Sequence, residues 1–322
     1  MSFNTPVLFL TYKRYKTAIR VFNTIKKIKP NKLYFASNAP KNDSEIKAVQ
    51  KVRDICKKIN WKCKLTTIFY SKHMLVKDSI PASINFFFKK EKQGIILEDD
   101  VLPSQSFYFF CQKMLKIFKN KKKISCISGS SFLKKRGKSN IYFSKYTHIW
   151  GWATWRSRWN NYDPYIKFWP KFKKSKIFKN LNSNVYEYNY WNNIYDKTYL
   201  RKLNTWDYAW QACTWYKNQL SVAPSISLTQ NIGYDLNAEH TIRRYKFIKK
   251  KTQNKINFYI PKKIIRNIKN DWFDFKYHYR SGYLTAPERT VYYLNIFFKD
   301  PFSFLIKLKK MLKYLFKKKF SN

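Results

Sequence analysis

Short apolar runs and helically spaced stretches alternate through the first hundred residues, and the fourth apolar run ends in three consecutive acids, Glu98, Asp99 and Asp100. The runs Pro6–Thr11, Lys32–Ala36, Lys64–Tyr70 and Gly94–Leu97 have the length and continuous apolarity of strands buried on both faces. Between them, Tyr15–Ile28, a segment from about Ser44 to Ile59 and another from about Ser79 to Lys90 read as helices. In the first of these, Ala18, Ile19, Phe22 and Ile25 share one side. Ser37-Asn38-Ala39-Pro40 is turn chemistry that closes the second strand. The pattern predicts an α/β domain whose parallel-type sheet is covered on both faces, with a further strand at Ile124–Ser128.

In such sheets ligands bind beyond the carboxyl ends of the strands, which is where Glu98–Asp100 fall. Adjacent carboxylates repel one another, and a cation is the usual compensation; hard oxygen donors suit Mg²⁺ or Mn²⁺. A solvated acidic turn paired with some of the 66 basic residues is the other reading open at this point.

Composition narrows the classes further. With 44% hydrophobic and 20% aromatic residues in 322, the chain can bury a large core, which excludes global disorder. Basic residues outnumber acids 66 to 18, a net +48 that favours anionic partners such as nucleic acid, acidic lipid or phosphorylated sugar. Lysines exceed arginines 54 to 12, whereas base and phosphate readout favours the arginine fork. Five scattered cysteines without a CxxC pair read as free thiols of a reducing compartment. The early run Val7–Leu10 is too short for a signal peptide, and no 18-residue apolar run occurs, so the expected location is the cytoplasm.

Beyond residue 147 the texture changes to clustered Trp and Tyr, followed by a strand at Leu220–Leu228 and a loop at Gln230–His240. The expected division is a catalytic domain at 1–242, an extension at 243–301 and a basic amphipathic helix at 302–320. That last segment carries seven lysines and no acid, with Phe304, Leu305, Leu308, Met311, Leu312, Leu315 and Phe316 at helical spacing. Two readings stand: an interfacial helix on an anionic membrane, or a helix packing its apolar face on the domain.

Gly94-Ile95-Ile96-Leu97-Glu98-Asp99-Asp100-Val101-Leu102-Pro103 resembles the strand and acidic motif of GT-A fold glycosyltransferases, in particular the N-acetylglucosaminyltransferase I type and the bacterial haemolytic-protein-like sugar transferases. Pro6–Thr17 and Tyr34–Pro40 are similar to the first two strands and turns of that family, although its frequent Asp-Gly before Pro is Asn38-Ala39 here. Ile149–Arg156 (IWGWATWR) resembles a motif of the bacterial group, and Thr205–Trp210 (TWDYAW) the segment that carries the catalytic carboxylate. Ala223–Ser227 and Asn231-Ile232-Gly233 match the strand and loop that follow. The resemblance covers residues 5–242.

It implies a GT-A, Rossmann-like mixed sheet with helices on both faces, and inverting transfer of a sugar from a nucleoside diphosphate to an acceptor hydroxyl with Mn²⁺ or Mg²⁺. Asp100 is then the metal ligand and His240 a candidate further metal or diphosphate contact, although a solitary His beside Glu239 is more often a surface pair. Thr11, Arg14, Ser37, Asn38, Glu98 and Asp99 are placed around the donor. Gly151 and Trp152 would border its sugar, glycine by permitting close approach and tryptophan by its apolar face, while most of the neighbouring tryptophans are expected in the core. Asp207 is the candidate general base, between Trp206 and Tyr208, with a helix N-cap as its structural alternative. The implied partners are a nucleoside-diphosphate sugar, a glycan or lipid-linked acceptor in surface glycan synthesis and an anionic inner membrane face, with no specific nucleic acid. A polyanion-binding protein is the competing class, supported by the charge and by aromatics interleaved with lysines, but it leaves the acids at a strand end unexplained. A metal-dependent nuclease would need further acids, and few are available.

Overall fold

The computed structural model describes residues 3–133, 141–182, 184–233 and 259–279, with isolated positions 294, 297, 298, 300, 301, 305 and 308. His240 lies outside the described residues, as does the 302–320 segment apart from positions 305 and 308.

In chain order the elements of the first half are β1 (Val7–Thr11), α1 (Tyr15–Ile28), β2 (Lys32–Ser37), α2 (Ile46–Arg53), β3 (Lys64–Phe69), α3 (Val76–Lys90) and β4 (Gln93–Glu98). They continue with β5 (Val101–Pro103), α4 (Gln105–Phe118), β6 (Ile124–Ser128), β7 (Ile141–Ser144), β8 (Trp152–Trp155) and α5 (Arg156–Trp159). The rest are α6 (Trp169–Phe172), α7 (Lys176–Leu181), α8 (Val185–Tyr199), α9 (Asp207–Tyr216), β9 (Leu220–Pro224), β10 (Thr229–Asn231) and α10 (Ile268–Asp274).

Eight strands form one sheet in the order β3-β2-β1-β4-β8-β6-β9-β7. β1 to β4 are mutually parallel where they pair, while β8 runs antiparallel to both β4 and β6, so the sheet is mixed. β5 and β10 form a separate antiparallel pair. Period-two alternation sends Val7 and Phe9 to one face and Leu8 and Leu10 to the other, and both faces are packed. That double burial is why β1 reads as an unbroken apolar run. On α1 the buried residues Ala18, Val21, Phe22, Ile25 and Ile28 form the single stripe that seats it on the sheet.

Several sequence expectations need correction. The helix expected at 44–59 is α2 alone, flanked by 3₁₀ turns at Asp43–Glu45 and Asp54–Lys58. β9 stops at Pro224, and the chain then turns before β10. The aromatic stretch holds a central strand, β8, and the 15-residue helix α8. A third core of Tyr146, Trp169, Trp191, Tyr195, Trp215 and Phe275 joins these helices. Residues 259–279 pack against this body: Asp271 accepts from Ser144 at 2.6 Å, and Asp274 lies 2.9 Å from His148 Nε2, both acids fully buried.

Candidate active site

Parallel pairing decides what meets at the sheet edge. Register pairs Leu10 with Glu98 and Thr11 with Ser37, so the carboxyl ends of β1, β2 and β4 lie side by side. The residues just past them, Tyr12 to Arg14, Asn38 and Asp99-Asp100, therefore share one rim.

At its centre one guanidinium spans two acids. Arg14 Nη2 lies 2.6 Å from Asp99 Oδ1 and 3.0 Å from Asp100 Oδ2. The Tyr12 amide donates to the other Asp99 oxygen at 3.1 Å. Burial pushes the Asp99 carboxyl up to about 6, the Arg14 charge pulling it down and Asp100 adding to the rise. Glu98 stands well above the usual carboxylate range, through burial first and then the charges of Asp100, Asp99 and Asp207. Burial works against the Arg14 charge, but Asp99 and Asp100 hold it above the ordinary guanidinium value.

The loop after β10 closes over this turn. Ile232 donates its amide to the Asp100 carbonyl at 2.7 Å, and Gly233 donates to Asn231 Oδ1 at 2.8 Å. A Cβ at Gly233 would fall 2.5 Å from Asp100 Oδ2 and 2.8 Å from Arg14 Nη1, so a side chain there would have to displace the ends of these two residues. The sequence placed Asn231–Gly233 in a motif without assigning it this seat.

Asp207 comes to the same rim from the second half of the chain, close enough for its charge to raise Glu98. It occupies the first turn of α9, where the helix dipole favours a carboxylate, and the Thr205 hydroxyl donates to it. The N-cap is Trp206, so the capping alternative for Asp207 does not hold. Beneath it Trp206 stacks on Trp152, ring centroids 5.7 Å apart, and Trp152 also meets Trp159 and Trp210.

Trp152 is consequently 1% exposed and presents no face at the rim; it supports the start of α9. Gly151, at φ +72°, is wedged against Thr229, Phe107 and Val101 under the β5–β10 pair. Thr11 donates its hydroxyl to the Ala36 carbonyl at 2.8 Å, locking β1 to β2. Asn38 spends its side-chain amide on the Met74 carbonyl and its oxygen on the Ala39 and Met74 amides, which ties the two rim loops together. Ser37 is buried, with Arg53 Nε 3.4 Å from its hydroxyl.

A rim cluster that the sequence reading missed lies beside Arg14. The Tyr12 hydroxyl donates to Glu45 and is 3.3 Å from His73 Nδ1, while Lys13 Nζ donates to Glu45 at 2.6 Å. Burial raises the Glu45 carboxyl, but the bonds from Lys13, Tyr12 and the Lys41 amide outweigh it and lower it to about 2. These residues come from three different loops, and no local pattern links them.

Among the described residues no three metal-ligating side chains converge. Asp99 has one oxygen on Arg14 and the other on Tyr12, whereas Asp100, with a side chain 16% exposed, meets Arg14 through Oδ2, so its Oδ1 is the carboxylate oxygen suited to a cation. Mg²⁺ binds readily through one carboxylate plus substrate phosphates and water. The donor set thus fits a divalent ion arriving with a diphosphate, not one caged by protein alone.

No protein-family model matches the chain, and no curated protein matches it. Among solved structures it is similar to HddC from Yersinia pseudotuberculosis (9% identity, TM-score 0.29, covering 48% of this chain and 77% of that one). A 4-diphosphocytidyl-2C-methyl-D-erythritol synthase from Anaerococcus prevotii matches at 10% identity and TM-score 0.30, covering 53% and 78%. An apo UDP-glucose pyrophosphorylase matches at 10% identity and TM-score 0.33, covering 70% and 92%. The α/β architecture rests on the sheet topology itself. No helix among the described residues is long and apolar enough to cross a membrane.

Proposed function

We propose that the chain is a glycosyltransferase of the GT-A type, moving a sugar from a nucleoside diphosphate to an acceptor hydroxyl. The observation that supports this reading is the Glu98–Asp100 turn at the carboxyl edge of the parallel strands, bridged by Arg14 and within range of the Asp207 charge that raises Glu98. Arg14 supplies fixed positive charge for a diphosphate, and Glu98 and Asp99 accept hydrogen bonds from sugar or ribose hydroxyls. Asp100 would hold Mn²⁺ or Mg²⁺, which neutralises charge building on the leaving diphosphate. Asp207 takes the proton from the acceptor hydroxyl as its oxygen bonds to the anomeric carbon; the bond from that carbon to the diphosphate oxygen breaks, and the nucleoside diphosphate leaves. A single displacement of this kind inverts the anomeric centre. A glycan or lipid-linked acceptor of a surface polymer suits the basic character of the chain, which would hold it at an anionic membrane face.

The test is binding of UDP-, GDP- and CMP-sugars with and without Mn²⁺, followed by thermal unfolding of the intact chain and of Asp100→Ala. Metal-dependent stabilisation by one donor, lost in the variant, is the expected result. Indifference to every donor would overturn the assignment and favour polyanion binding.

A further inference from the structure

An open cavity of about 800 Å³ is at the other pole of the sheet from the acidic turn. Gln93, which starts β4, lines it, whereas Glu98 ends that strand; five residues of extended chain separate the two sites by about 17 Å. Five cations from three elements surround it: Lys92 before β4, Lys116 and Lys119 at the end of α4, and Arg156 and Arg158 on α5. No acidic side chain is among the described residues that line it. In a chain of +48 a few adjacent lysines mean little, but the two arginines are built into the wall.

Arg158 is 8% exposed and lies 4.7 Å from the centre of the Trp155 ring. Its guanidinium donates to the carbonyls of Lys119 at 2.6 Å and Ile124 at 3.3 Å, and to the Ser157 hydroxyl at 2.7 Å. Arg156 donates to the carbonyls of Glu91 and Lys89. These bonds fix both side chains with neutral acceptors, so no carboxylate among the described residues cancels either charge. Each guanidinium retains further N–H groups beyond those used. A buried cation without a counter-charge is costly, and a phosphoryl group satisfies both the charge and the fork geometry. The volume is that of a small-molecule site.

We infer that this cation-lined cavity is a second binding site, taking a phosphoryl-bearing ligand remote from the acidic turn. Its ligand is either a soluble phosphorylated molecule or the headgroup of an anionic phospholipid, which share this chemistry. The site stands apart from the glycosyl-transfer reading and survives its failure.

The experiment uses the full chain without divalent metal and compares three proteins: the parent, Lys116→Glu/Lys119→Glu at the cavity, and Lys27→Glu/Lys47→Glu on the exposed faces of α1 and α2. Pyrophosphate binding is measured by calorimetry, and vesicle binding by co-sedimentation with phosphatidylcholine containing phosphatidic acid. The cavity pair is expected to weaken binding of one probe by about tenfold, and the control pair by less than about twofold. Loss with pyrophosphate identifies a soluble ligand, and loss with vesicles alone identifies a headgroup. Equal losses in both variants, or no binding of either probe, overturns the inference. Should the cavity pair fail to fold, Lys92→Gln carries the same comparison.

Discussion

Adding one methyl group at Gly233 should disable the acidic rim while leaving the domain folded. The new Cβ would meet Asp100 Oδ2 at 2.5 Å, Arg14 Nη1 at 2.8 Å and Asp100 Cβ at 2.9 Å, against an optimum of about 3.5–4.0 Å for non-bonded carbon contacts. The loop cannot withdraw cheaply, because the Ile232 amide is bound to the Asp100 carbonyl and β10 is paired with β5. The least costly response is rotation of the Asp100 carboxylate away from Arg14. Overpacking of this size costs about 1–3 kcal/mol, and the pair it breaks is partly exposed and adds no more than about 1 kcal/mol. Gly233→Ala should therefore lose about 1–4 kcal/mol of stability and at least about tenfold in donor affinity, since the Asp100 carboxylate turns away from the diphosphate position. Gly94→Ala is the matched control: its Cβ would strike Phe87 Cζ at 2.2 Å in the core, reducing stability without touching the rim. Thermal unfolding and calorimetric titration with the donor that binds the parent chain would separate the two effects. Donor affinity unchanged in Gly233→Ala, or lowered equally in Gly94→Ala, would refute the reasoning.

Other consequences can be measured independently. Asp207→Asn keeps an acceptor for Thr205 and should preserve folding and donor binding while turnover falls by about 10²–10⁴; unchanged turnover would remove Asp207 as the base. Trp152→Phe should cost about 1–3 kcal/mol and slow transfer by tilting Trp206 under Asp207, whereas Trp191→Phe in the third core should cost stability alone; comparing both rates against unfolding free energies decides it. Lys145 is fully buried 2.8 Å from Glu187, and burial lowers it to about 8 despite that partner. Its folded pKa lies below the unfolded 10.5, so its contribution to stability grows as pH rises from 8 toward 10.5. In Glu187→Gln the lysine loses the charge that helps it keep its proton, so the electrostatic part of the loss should be largest near pH 6, shrink as pH rises through about 8 and vanish above about pH 9. A loss that does not vary with pH, in denaturant titrations across that range, would contradict this.

What the sequence by itself determined is local. α1 starts and ends where residue spacing says, and β6 coincides with its apolar run, because a helix stripe or a buried strand is written in neighbouring residues. The acidic turn was equally legible, since three acids directly after an apolar strand fix their own position at the carboxyl edge. The tertiary structure decided the rest. β8 is buried on both sides between β4 and β6, and its Trp-Ala-Thr-Trp sequence has no alternation that distinguishes it from core packing. Burial of Trp152 depends on Trp206 and Trp210, more than fifty residues away, so a ring that looks like a ligand wall in the sequence becomes a support for Asp207. The Tyr12–Glu45–His73 cluster, the seat of Gly233 on Asp100 and the approach of Asp207 to Glu98 all join segments that share no local period. Strand order and register bring them together, and non-local pairing of that kind is set by how the whole sheet buries its two faces.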